Sequence, residues 1–193
     1  MRSLFNFMVS TDNRYNNKID VDGKELIVNT EITERDYMYV NRIGTVTQIP
    51  IIGDYPIQVG DDVIVHHNVF RRWYDQYGNG KNGKSFLSED LYTVENDQVF
   101  AYRRNGEWYA TPGYCFVAPV EFKDEWNMET EKKLQGILKI GPSELLGHTV
   151  GFTPNSEYEF NIDNQKLYRV LSNQITVDYG CESKKKTNHR VKS

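Results

Sequence analysis

Leu91-Tyr92-Thr93-Val94-Glu95-Asn96-Asp97-Gln98-Val99 is matched later in the chain by Leu167-Tyr168-Arg169-Val170-Leu171-Ser172-Asn173-Gln174-Ile175. The shared pattern is Leu-Tyr-x-Val-x-x-x-Gln-(Val/Ile). Upstream of each copy lies a glycine-bearing apolar run, Ile43-Gly44-Thr45-Val46 and then Gln135-Gly136-Ile137-Leu138. Between the two features, each copy has a second glycine opening another such run. These are Val59-Gly60-Asp61-Asp62-Val63 and Leu146-Gly147-His148-Thr149-Val150. Three features in the same order mark an internal duplication, because fixed-order self-similarity is the signature of repeated structural units. The boundary between copies falls in the stretch from Asn105 to Gly113.

The runs themselves read as strands. Ile43 to Ile49, Gln58 to Val65, Leu91 to Val94, Gln98 to Tyr102 and Tyr114 to Phe122 are short, rich in β-branched and aromatic residues, and punctuated by Gly, Pro or Asp. Aromatic residues make up 13% of the chain, including 13 Tyr, which suits a pleated, half-buried surface. Helical periodicity is almost absent. The one candidate, Glu125 to Leu134, lacks a good apolar stripe and reads equally as a charged loop. An all-β fold of barrels or sandwiches is expected.

Charge and cysteine content narrow the functional classes. Net charge is −4 over 193 residues, and the five cations from Ser183 onward leave everything before them at −9. An acidic body disfavours nonspecific contact with phosphate backbones. Cys115 lies in an apolar run and Cys181 in a polar tail, which is no disulfide framework. Met1-Arg2-Ser3-Leu4-Phe5-Asn6-Phe7 is too short and interrupted for a signal peptide. No apolar run approaches the ~20 residues of a membrane-spanning helix. The expectation is a soluble cytoplasmic protein with no membrane partner.

Laid out in order, each copy resembles a GroES-type co-chaperonin of the chaperonin-10 family. In that family a first strand precedes a mobile loop carrying an apolar tripeptide. A Gly-x-Val strand, a Val-Gly-Asp-x-Val strand, a roof hairpin and closing strands follow. Here Leu4 to Val9 resembles the first strand and Asn13 to Asp36 the mobile loop. Ile43 to Val46, Val59 to Val65 and Leu91 to Tyr102 resemble the strands that follow. The resemblance implies two tandem GroES-like β-barrels: residues 1–107 with the mobile loop and roof hairpin, a shorter barrel over 108–180, and a basic tail over 181–193. The degree of divergence points to a phage-encoded version.

The resemblance also implies function. The tripeptide Leu26-Ile27-Val28, after Gly23, would dock into a groove of a GroEL-type chaperonin. The cap would enclose client proteins, and ATP would act on the partner, so the chain itself needs no cofactor or metal. The family usually has two glycines before the tripeptide, where this chain has Lys24 and Glu25. Without the resemblance, Leu26-Ile27-Val28 reads as a core strand. The second copy has no aliphatic tripeptide between Phe122 and Leu134, only Trp126 and Met128 among large apolar residues. One docking loop per chain follows, in a homo-oligomeric ring for which a heptamer is expected. Between Val65 and Leu91 the first copy carries a glycine-rich insertion with Tyr77, Gly78, Gly80 and Gly83. Family placement makes it the roof hairpin, and otherwise it is an ordinary surface hairpin whose Gly and Asn supply positive φ.

Two other classes compete. A single-stranded nucleic-acid binder would use Phe70-Arg71-Arg72-Trp73-Tyr74 with Tyr102-Arg103-Arg104 and Trp108-Tyr109, which interleave rings and cations. The acidic body and the lack of a basic stripe speak against it. A virion or scaffold protein could borrow the same barrel. An enzyme is disfavoured. His66 and His67 on one strand would point to opposite faces, and Asp61-Asp62 after Gly60 suit a turn cap. The glycines and lysines of Gly78 to Ser85 lack phosphate-loop spacing.

Overall fold

The computed structural model describes residues 3–16, 18–21, 24–27, 38–123 and 129–181. Its contacts divide the chain into two units, Met1–Thr111 and Pro112–Ser193. Among the described residues the regular structure is strand with short 3-10 turns. No helix is long and apolar enough to cross a membrane.

The first unit contains β1 (Phe7–Ser10), β2 (Lys18–Val21), β3 (Lys24–Ile27), β4 (Ile43–Gln48), β5 (Asp62–Val65), β6 (Arg72–Tyr74), β7 (Gly80–Asn82), β8 (Phe86–Ser88), β9 (Leu91–Val94), β10 (Val99–Arg104) and β11 (Glu107–Ala110). Seven of these form one sheet in the order β11-β10-β5-β4-β1-β9-β8, while β2-β3 and β6-β7 are separate two-stranded ribbons. β9 and β10 lie four places apart in that order, about 19 Å on a flat sheet at ~4.8 Å per strand. Only residues 95–98 join them, three of them in a 3-10 turn, which advances about 2 Å per residue. The sheet is therefore curled so that its ends approach. Val9, Val46, Val63, Val65, Tyr92 and Val94 fill the inside and are almost wholly buried.

The second unit contains β12 (Tyr114–Lys123), β13 (Glu129–Ile140), β14 (Thr149–Phe152), β15 (Tyr158–Ile162), β16 (Gln165–Leu171) and β17 (Ile175–Gly180). Their order, β15-β16-β12-β13-β14-β17, is that of β8-β9-β1-β4-β5-β10 in the first unit, with β11 having no counterpart. The registers agree as well. Val9 lies opposite Val46 and Tyr92, as Val117 lies opposite Leu138 and Tyr168. A bulge precedes Val9 on β1 and Val117 on β12. Cys115, Val117, Leu138, Val150 and Val170 form the second core.

Each feature of the sequence repeat has a structural cause. Gln98 Oε1 accepts from the Glu95 N–H at 3.3 Å, and Gln174 Oε1 accepts from the Leu171 N–H at 3.4 Å. Gln thus caps the 3-10 turn between the two strands in both copies. The Gly60 and Gly147 N–H groups donate to the Val46 and Leu138 carbonyls, each at 2.8 Å, with φ of +93° and +80°. Gly44 and Gly136 are needed for close approach. A Cβ on Gly44 would lie 2.5 Å from Val9 Cγ1 and 2.7 Å from the Ser10 carbonyl oxygen. On Gly136 it would lie 2.8 Å from Val117 Cβ and 3.0 Å from the Ala118 oxygen.

Two sequence expectations shift. The boundary expected between 107 and 108 falls inside β11 and moves to follow Thr111, because Asn105-Gly106 turn β10 back into β11. Both residues adopt positive φ, +52° and +85°, as a tight two-residue hairpin requires. Residues 129–134, read as a helix or charged loop, belong to β13, whose register with β12 runs from Lys123↔Glu129 to Phe116↔Ile140.

Candidate functional site

The stretch expected as a mobile loop leaves the first core at a fixed root. Tyr15 bridges Val40, the Asn16 N–H donates to the Tyr39 carbonyl at 2.7 Å, and the Asn41 N–H donates to Arg14 at 2.9 Å. Tyr15 and Val40 are 5% and 2% exposed, so both belong to the core. Arg14 to Asn16, which the resemblance places within the loop, are therefore held by backbone contacts at this root. Beyond the root, β2 and β3 pair antiparallel with Ile19 opposite Leu26. This ribbon joins no other sheet among the described residues. Two strands alone are marginally stable in water, so the ribbon depends on its root.

Leu26 is 53% exposed. Lys24, two residues before it and on the same strand face, is exposed too. Leu26 is thus not a core residue of the sheet. Ile27 closes β3, opposite Lys18. Val28, Trp126, Met128 and the tail beyond Cys181 lie outside the described residues.

The glycine-rich insertion is a second ribbon, with Arg72 opposite Asn82, Trp73 opposite Lys81 and Tyr74 opposite Gly80. Its turn is built on Asp75, whose Oδ1 accepts from the Tyr77 and Asn79 N–H groups, both at 2.9 Å. The Asn79 N–H heads the donors that hold this carboxyl below its usual range. Gly78 has φ +80°, while Gly80, Gly83 and the neighbouring Asn residues stay out of the left-handed region. Gly80 instead makes room for Arg72, whose Cδ would lie 3.1 Å from a Cβ there. Tyr77 stands at the tip, 80% exposed.

Arg14 and Tyr15 tie the two ribbons together, a role the sequence reading did not assign. Arg14 donates to the Phe70 carbonyl at 2.9 Å, the Arg71 carbonyl at 3.2 Å and Asn82 Oδ1 at 2.7 Å. Its guanidinium also lies 5.7 Å from the Phe86 and Tyr92 ring centres. The Tyr15 hydroxyl accepts from the Arg72 N–H at 2.9 Å. The root of the Leu26 ribbon is thereby fastened to the base of the Tyr77 ribbon. Residues Arg14 and Tyr15 carry no motif, so only the fold brings them together.

The groups weighed for other chemistries have local roles. β5 ends at Val65, so His66 and His67 do not alternate along a strand. Their rings lie 4.2 Å apart, and His66 Nδ1 accepts from the Asn68 N–H at 3.1 Å. No group of three metal-ligating side chains gathers among the described residues. Asp61 caps the Gln58 N–H at 2.8 Å and pairs with Arg104, while Asp62 pairs with Arg103 at 2.6 Å. Burial raises the Asp61 pKa, but Arg104 and the Gln58 N–H outweigh it and leave it below the usual value. Arg103 and Arg104 thus serve internal carboxylates, though each also lies over a ring, Trp108 and Tyr102. Lys84 pairs with Glu95 at 2.8 Å. Cys115 is buried, its thiol pushed up to about 11 by desolvation, and Cys181 is exposed.

No family model, curated protein or solved structure matches this chain.

Proposed function

We propose that the chain is a co-chaperonin built from two GroES-like barrels, capping a GroEL-type chaperonin through Leu26-Ile27-Val28. The observation that carries this reading is Leu26, an aliphatic side chain 53% exposed on a ribbon outside the main sheet. It belongs to a duplicated, curled β-unit whose element order is the one the family resemblance implies. A scaffold barrel has no need for an aliphatic side chain held out on a tethered ribbon.

Burying Leu26, Ile27 and Val28 in an apolar groove contributes on the order of 1.5–3 kcal/mol each before ordering costs. Those costs keep one contact weak. Several copies in a ring bind together through effective concentration, and weak single contacts let the cap leave when ATP turnover changes the partner. A closed ring requires equivalent positions for every chain, and we assign seven chains, with the first barrels forming the ring. The Tyr77 ribbon would form the roof over the enclosed client, and the site of action is the cytoplasm.

The functional test is refolding of a chaperonin-dependent enzyme by a GroEL-type chaperonin and ATP. The chain should restore the yield that the chaperonin alone fails to give. A variant with Leu26, Ile27 and Val28 all changed to Ser should not. Salt-dependent binding to single-stranded oligonucleotides with no effect on refolding would overturn the proposal in favour of the nucleic-acid reading.

A further inference from the structure

Leu4, Phe5, Ile51 and Ile52 bring four large apolar side chains to one place on the first unit. The Ile51 N–H donates to the Ser3 carbonyl at 3.1 Å and the Ile52 N–H to the Leu4 carbonyl at 3.0 Å, so the two segments run side by side. All four residues are between 51% and 60% exposed. The second segment is fastened to the body of the unit through Tyr55. Its hydroxyl donates to the Ile52 carbonyl at 3.4 Å and accepts from Asn96 Nδ2 at 2.6 Å, and its ring meets Phe7 edge to face at 5.1 Å. Gly53, at φ +116°, makes room for that ring, which would lie 2.5 Å from a Cβ there. The face is thus built before any contact, which lowers the ordering cost of binding.

The β-unit itself does not require these residues. With Val9 aligned to Val117, Leu4 and Phe5 correspond to Pro112 and Gly113. With Gln48 aligned to Ile140, Pro50 and Pro142 fall together, and Ile51 and Ile52 correspond to Ser143 and Glu144. Those four positions are exposed in the second unit too. The same fold therefore carries no large apolar side chain there in its second copy, and four in its first.

The face is also nearly free of charge. Over residues 3–9 and 49–60 the only charged side chain is Asp54, in a chain that carries −9 before its tail. Copies of an acidic chain repel where charged surfaces meet, and an uncharged apolar face lets them meet without opposing like charges. The four side chains expose on the order of 400 Å², against the ~800 Å² per partner of a stable interface. That suits the apolar core of an interface whose polar rim supplies the rest.

We infer that this face packs against a second copy of the chain. It is the surface through which the homo-oligomer proposed above would assemble, and it rests on that reading only for the number of copies.

The test is sedimentation velocity of the full chain across about 1–500 µM, the range of a modest apolar contact. Oligomers are expected within that range. Ile51→Ser with Ile52→Glu, the residues that the second unit carries, should weaken association at least about tenfold. Leu4→Ser with Phe5→Ser should do the same, from the other segment of the face. Hydrogen exchange over residues 1–111 should match the parent in both variants. A monomer at every concentration would overturn the inference and leave the face to a different protein. An oligomer that either variant leaves intact, or association lost only together with exchange protection across 1–111, would overturn it as well. Association through this face without any chaperonin complex would refute the co-chaperonin reading alone. A ring that persists in both variants, with capping intact, would refute this inference alone.

Discussion

Replacing Gly44 by Ala tests the packing that both units share. The added methyl would meet Val9 Cγ1 at 2.5 Å, the Ser10 carbonyl oxygen at 2.7 Å and Phe70 Cζ at 3.0 Å. None of these yields cheaply. Val9 is fully buried and stiff at χ1, Ser10 O is backbone of β1, and Phe70 is fully buried. β4 must then move away from β1. Over-packing of this kind costs about 1–3 kcal/mol, and backbone obstruction puts Gly44 at the upper end. Replacing a strand glycine regains about 0.5–1 kcal/mol of chain entropy, leaving a net loss of about 2 kcal/mol. Gly136→Ala meets Val117 and Ala118 at 2.8–3.0 Å and should cost a similar or slightly smaller amount in its own unit. A chain of two units need not unfold in one step, so the assay is hydrogen exchange read by mass spectrometry across a urea series. Peptides from 1–111 report Gly44→Ala, and those from 112–181 report Gly136→Ala. A cost below about 0.5 kcal/mol at either site would refute the close-approach argument. A loss at Gly44 with none at Gly136 would refute the equivalence of the two units.

Other outcomes follow from the same geometry. Phe70→Ala should destabilise the first unit by about 3–5 kcal/mol, the usual cost of emptying an aromatic core position, read from the same exchange series. Only one of the two thiols should react with a disulfide reagent at pH 8 in the native protein, and both in denaturant, because Cys115 is buried with its pKa near 11. The Asp61 pKa is lowered on folding, so its contribution is present above the unfolded value near 3.8 and lost as pH falls through the folded one. Acid titration of the unfolding midpoint should show that loss, and Asp61→Asn should remove this group's share of it. A variant whose acid limb is unchanged would contradict that assignment.

What the sequence makes legible are features with local causes. The Leu-Tyr-x-Val-x-x-x-Gln repeat is visible because one Gln side chain caps each 3-10 turn, and Gly44 and Gly136 are visible because close strand approach excludes a Cβ. Two hairpins also have local signals. Asn105-Gly106 is a hairpin turn that extends the first sheet by β11. The alternation from Tyr158 to Ile162 before Asp163-Asn164, both at positive φ, marks the β15–β16 hairpin. Other elements have no local signal. Glu129 to Lys133 carries charges that no periodicity assigns to a strand, and the pairing with β12 is what orders its backbone. The fastening of Arg14 to Phe70, Arg71 and Asn82 spans more than fifty positions, and only the tertiary fold reveals it. Leu26 lies between these cases. Its apolar neighbours suit either a core strand or a docking element, and its exposure on a separate ribbon removes it from the core.

The most direct test of the co-chaperonin account is native mass spectrometry of the chain with a GroEL-type chaperonin, with and without ATP. The account predicts a nucleotide-dependent complex whose added mass equals seven chains. That complex should vanish when Leu26, Ile27 and Val28 are changed together to Ser, in a variant whose urea midpoint matches that of the parent chain. A complex that survives the triple substitution, an added mass of three or four chains, or no complex under any nucleotide condition would contradict it.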